Sequence, residues 1–101
     1  CTKSLALYQK SLELARGIGD RIEIGFEIQG VAMSLAGLGH HAGALALAHA
    51  VEEEFRKLGA DIQVRFWNEL LERWLGPARD ALVGEIATWT FEEAIERAMS
   101  S

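Results

Sequence analysis

The sequence predicts an all-α fold, an α-α superhelix of antiparallel helix hairpins with about five to six helices. Three observations carry this. Aliphatic–glycine pairs punctuate the chain at Ile18-Gly19, Leu38-Gly39, Leu58-Gly59 and Leu75-Gly76, the first three spaced by twenty residues and the last by seventeen. Glycine enters the left-handed region cheaply and closes helix C-termini, so each pair reads as a stop. Start signals follow the stops: Asp20 three residues before Glu23, Asp61 after Gly59, Pro77 after Gly76, and Thr90 three residues before Glu93. Finally, a shift of forty residues lays Leu5–Gly19 on Leu45–Gly59 with six identities in fifteen positions, the mark of equivalent helices separated by one intervening helix.

Taken in order, the elements are helices at about 2–17, 21–38, 41–58, 62–75, 77–88 and 91–100. The first carries apolar residues at Leu5, Leu12 and Ala15. The second opens ambiguously, because Ile22, Ile24, Phe26 and Ile28 alternate as in a half-buried strand. The continuation through Ile24, Ile28, Val31, Leu35 and Leu38 steps by four and three and decides for a helix. Ile28 to Val51 holds no Asp, Glu, Lys or Arg, but polar residues and four glycines interrupt it, so it reads as two buried helices turning at Gly39-His40-His41 and not as a membrane span. Trp67 and Trp74, seven apart around Leu70 and Leu71, make a heavy apolar stripe on the fourth helix, with Trp89 and Phe91 beyond it. Glu92 and Glu93 open the last helix after the Thr90 cap.

At 101 residues the chain suits one domain that buries its own core. A net charge of −5 argues against a broad grip on nucleic acid or an anionic membrane. The single cysteine, Cys1, forbids an internal disulfide and any cysteine-based zinc site. Without an initiator Met or a targeting pattern, the chain is expected to be a fragment of a longer cytoplasmic protein rather than a mature lipoprotein led by Cys1.

Ser4, Tyr8 and Ser11 follow the small–aromatic–small pattern of tetratricopeptide repeat helices, and Ala44, Ala48 and Val51 hold the same places forty residues on. Ile28, Val31, Ala32 and Leu35 suit the preceding helix of such a hairpin, and the stretch SLELARGIGDR resembles the seam between the longer repeats. Together with Phe66 to Trp74 and the closing WTFEEAIERAM, the chain resembles the C-terminal end of a tetratricopeptide array, as found in large bacterial regulators that also carry an ATPase module with a LuxR-type or cyclase domain. The resemblance implies a non-catalytic scaffold that binds protein or peptide, or docks other domains of its parent. Carried over to this sequence, the groove-facing positions are Phe26, Gln29, Met33 and Ala36.

Chemistry beyond packing is sparse. His40, His41 and His49, beside Glu52 and Glu53, are the one group that suggests a metal or small-ligand sensor, the alternative to a scaffold. A closed site needs about four converging ligands, and adjacent His40 and His41 point apart, so no metal or other cofactor is expected. Glu52, Glu53 and Glu54 are consecutive on a helix and do not face one another. No nucleophile is paired with a base, and Gly17-Ile18-Gly19 follows a helix rather than a strand, so neither an enzyme nor a phosphate loop is indicated. The last helices place charge outward at Glu85, Glu92, Glu93, Glu96 and Arg97. The first helix instead presents Leu5, Leu7, Leu12 and Leu14 around more than one face, which predicts self-association through it, most simply as a two-fold dimer.

Overall fold

The structure is a computed structural model that describes residues 2–59, 65–82 and 84–101, with side chains described for all of these except 65–68. Five helices follow one another: α1 (Thr2–Ile18), α2 (Arg21–Gly37), α3 (His41–Lys57), α4 (Arg65–Ala81) and α5 (Phe91–Met99), with no strand among the described residues.

The first three helices begin and end where the punctuation places them. Gly19, Gly39 and Gly59 adopt φ of +84°, +88° and +65°, the left-handed conformation that ends a helix and turns the chain back. Asp20 caps α2, its Oδ1 accepting from the amides of Ile22 at 3.1 Å and Glu23 at 3.2 Å. Thr90 and Glu93 form a reciprocal capping box at the start of α5. The strand-like alternation at Ile22–Ile28 lies within α2, where Ile24, Ile28, Val31 and Leu35 are all buried along one stripe.

The predicted break at Leu75-Gly76-Pro77 is corrected by the structure. α4 runs straight through Pro77, so the separate helix at 77–88 does not form, and residues 82 and 84–90 are non-helical. Proline removes one backbone donor from a helix interior. Packing outweighs that loss here, because Leu71, Leu75 and Ala78 continue one buried stripe across it. Arg79 also reaches back to Glu72 with bonds of 3.0 and 3.2 Å that bracket the proline. The left-handed glycine in this part of the chain is Gly84, φ +109°, instead of Gly76. The expected start of the fourth helix at 62–64 lies outside the described residues.

α2 is the central helix and packs against all four others. Every residue from Gly30 to Ala36 is buried, which explains why the chain there tolerates no charge. The neighbouring helices close on it by setting a ring against a glycine on either side. Tyr8 of α1 lies on Gly30, and Phe55 of α3 lies on Gly25. α4 packs on α2 and α3, and α5 closes against α1, α2 and α3, giving a body of 35 × 28 × 26 Å. Polar ties hold α5 in place. Gln9 donates to the carbonyls of Ala98 at 3.0 Å and Ser101 at 2.7 Å, and Arg21 bridges buried Glu54 at 2.5 Å and exposed Glu92 at 3.1 Å while lying over the Phe91 ring. Among the described residues, no helix is long and apolar enough to cross a membrane.

Candidate interaction surface

The outer face of α1 carries the three most exposed large apolar side chains among the described residues. Leu12 and Ala15 turn inward to the core, and Leu5 and Tyr8 pack at its edge. Leu7, Leu14 and Ile18 point away, 69%, 65% and 81% exposed. At about 100° per residue these three fall within roughly 40° of one another, a single stripe about 16 Å long. Ile18, next to the Gly19 cap, belongs to this stripe as well. Its four-residue step from Leu14 was the available signal.

Of the residues expected to self-associate, the structure therefore keeps Leu7 and Leu14 on the outer face and leaves Leu5 half-buried. Leu12 is corrected: at 0% exposure it belongs to the core, packed in one cluster with Ile28 and Val31. A helix cannot aim Leu7 and Leu12 the same way, because five residues turn it by about 140° from an outward direction to an inward one.

The groove expected along α2 is corrected as well. Met33 and Ala36 are buried by their own chain, because α4 packs on α2 with Leu70 and Trp74 beside Met33, in space that an open array would leave free. A recess of about 110 Å³ remains beside Met33, between Tyr8 of α1 and Leu70 and Trp74 of α4. Phe26 is half-buried and meets Phe55 edge-to-face at 5.7 Å, and Gln29 is half-buried too. These four positions do not form one open surface.

The histidines are spread out. His40 is the exposed residue before α3, His41 begins that helix half-buried, and His49 lies two turns further on, about 12 Å away by helix rise. No cluster of three or more His, Cys, Asp or Glu side chains capable of holding a metal occurs among the described residues. His40 and His41 border an apolar recess of about 560 Å³ at the α2–α3 turn, walled by Leu5, Leu35 and Leu38. Glu52 and Glu53 are engaged with Arg56, whereas Glu54 turns inward to Arg21. Trp74 is partly exposed on α4, Trp89 is half-buried under Arg97, and Phe91 is core; the side chain of Trp67 lies outside the described residues.

One carboxyl group is electrostatically uncomfortable. Burial, followed by the charge of Glu23 one turn earlier and a bond between the two carboxyl groups, pushes Glu27 above the usual carboxylate range, with a hydrogen bond from Ser11 working the other way. A raised carboxyl pKa means that the folded chain holds its proton longer than the unfolded one. This group's stabilising contribution is therefore fully present in acid and declines as pH rises through the carboxylate range. Glu72 and Glu92 behave oppositely: Arg79 and Arg21 hold them below the usual value, so their contribution is lost as pH falls. Glu27→Gln is expected to raise stability at pH 7 by about 0.5 kcal/mol, the size of a like-charge pair one turn apart. The difference closes by about pH 4, near the ordinary glutamate value, and thermal melts at the two pH values measure it.

Comparison with known protein families, with curated proteins and with solved structures finds no match. The functional reading therefore rests on the chain's own surface.

Proposed function

We propose that this chain is a non-catalytic interaction module whose α1 face docks a helix, either from another protein or from another part of a longer polypeptide. The observation that carries the proposal is the outward stripe of Leu7, Leu14 and Ile18. Large apolar side chains scattered singly on a surface need no explanation, but three aligned on one helix do. A helix laid along the stripe buries all three by setting its own side chains between them. The resemblance to tetratricopeptide arrays supports the reading, since hairpins in such arrays stack on neighbouring hairpins through one helix face. In this scheme the protein supplies shape and apolar area, and no bond is made or broken.

The test is a titration of the isotope-labelled chain with a synthetic amphipathic peptide of about four turns, leucine along one face and glutamine on both flanks. Methyl shifts are expected at Leu7, Leu14 and Ile18, with binding weakened about tenfold, or about 1.4 kcal/mol, in Leu14→Glu. An unperturbed α1 face at millimolar peptide overturns the reading. A thermal stabilisation by zinc that disappears in His41→Ala supports the sensor reading in its place.

A further inference from the structure

We infer that the helix that docks on α1 is an acidic amphipathic helix and not a second copy of this chain. This rests on the docking reading of the α1 face and adds the chemistry of its occupant. The chain as a whole is acidic, but α1 is not: it carries Lys3, Lys10 and Arg16 against Glu13 alone, while the rest of the chain carries seven basic residues against fourteen acidic ones.

The cations of α1 are not spread evenly around it. Arg16 points toward α5, where it pairs with Glu96 at 3.1 Å. Lys3 and Lys10 stand on the exposed side, about 40–60° from the Leu7–Leu14–Ile18 stripe by helix geometry, and form one edge of it. Neither lysine has an ion-pair partner among the described residues, whereas Arg16, Arg21, Arg56 and Arg79 are all paired with glutamates. Glu13 lies about 60° beyond Lys10, off the stripe. The face is thus apolar along its centre and basic along one margin, which calls for a partner with an apolar stripe and a matching acidic margin.

A second copy of the chain fits this face poorly. An antiparallel two-fold pairing of α1 with itself sets both lysine margins on the same side of the contact, cation beside cation. A parallel pairing sets each lysine margin against Ser4 and Ser11, which carry no charge. No other described element of a second copy combines a stripe with acid. Ile22, Leu38, Leu58, Trp74 and Ile86 are partly exposed, and no two of them lie on the same helix. α5 carries Glu92, Glu93 and Glu96 outward, yet its apolar residues Phe91, Ala94, Ile95 and Ala98 are buried in its own core.

The experiment compares two peptides that share one leucine stripe and differ only in flanks of glutamate or lysine, each titrated into the labelled full chain at low and high salt. Light scattering of the chain alone is run in parallel. The glutamate peptide is expected to bind at least about tenfold tighter at low salt, with the ratio shrinking at high salt as exposed charges are screened. Lys3→Glu with Lys10→Glu is expected to reverse the preference while circular dichroism stays unchanged. Equal binding of both peptides at the α1 methyls overturns the acidic partner but leaves the docking face standing. If neither peptide perturbs α1, the docking reading itself fails. A concentration-dependent dimer dissolved by Leu14→Glu identifies the occupant as a second copy and overturns the inference.

Discussion

Replacing Leu12 with alanine is expected to cost about 2–5 kcal/mol of unfolding free energy, whereas the same change at Leu7 or Leu14 alters it by less than about 0.5 kcal/mol. The three leucines share one helix within eight residues and differ only in direction. Leu12 is fully enclosed with Ile28 and Val31, so truncation removes buried apolar surface and leaves a cavity that helices held on several sides cannot fully close. For a domain of this size the loss is a large part of a total of about 5–15 kcal/mol. Urea denaturation measures it as a lower midpoint with an unchanged slope. A comparable loss at Leu7 or Leu14 shows that the outer face of α1 is covered in the free protein, and removes the basis for docking there.

The second large effect concerns Gly30. Alanine is favoured over glycine inside a helix by about 1 kcal/mol, so propensity alone predicts a more stable protein. The structure predicts the reverse. A Cβ at residue 30 comes too close to the Tyr8 ring, against Cγ as well as Cδ1 and Cε1, so the ring has to move from its base rather than swing at its tip. Overpacking of this kind costs about 1–3 kcal/mol, and Gly30→Ala is expected to be destabilising. In a Tyr8→Ala background the clash is gone, and the same substitution is expected to stabilise by the propensity difference, about 1 kcal/mol. That reversal of sign in a double-mutant cycle is the measurement. At Gly25 the closest atoms are the far end of the half-buried Phe55 ring, which yields more easily, so Gly25→Ala is expected to cost less.

Both predictions depend on α2 being enclosed by its neighbours, and so does the correction of the groove. Phe26, Gln29, Met33 and Ala36 are separated by three- and four-residue steps, which places them on one side of a helix, but the spacing carries no information about what lies above that side. α4 lies there, with Leu70 and Trp74 beside Met33, and Met33 and Ala36 are core residues. The α1 face shows the converse. The sequence crowds leucines onto α1, and only the docking of Leu12 and Ala15 against α2 separates those that belong to this fold from those left for a partner.

Local chemistry was sufficient to specify helical class, the first three helices and the two side-chain caps. A glycine in the left-handed region, an aspartate that accepts from the next turn's amides, and a Thr-Glu capping box act within four or five residues and need nothing from the rest of the chain. Gly76-Pro77 sends an equally local signal, yet α4 continues through it. The cost of one missing donor is modest beside the burial of Leu71, Leu75 and Ala78 along a surface that α2 and α3 provide. Which faces are buried, which are exposed and which cations remain unpaired are properties of the assembled helices. Lys3 and Lys10 become a basic margin to the Leu7–Leu14–Ile18 stripe only because the opposite side of α1 is taken up by the core, a choice made by contacts between residues far apart in the chain.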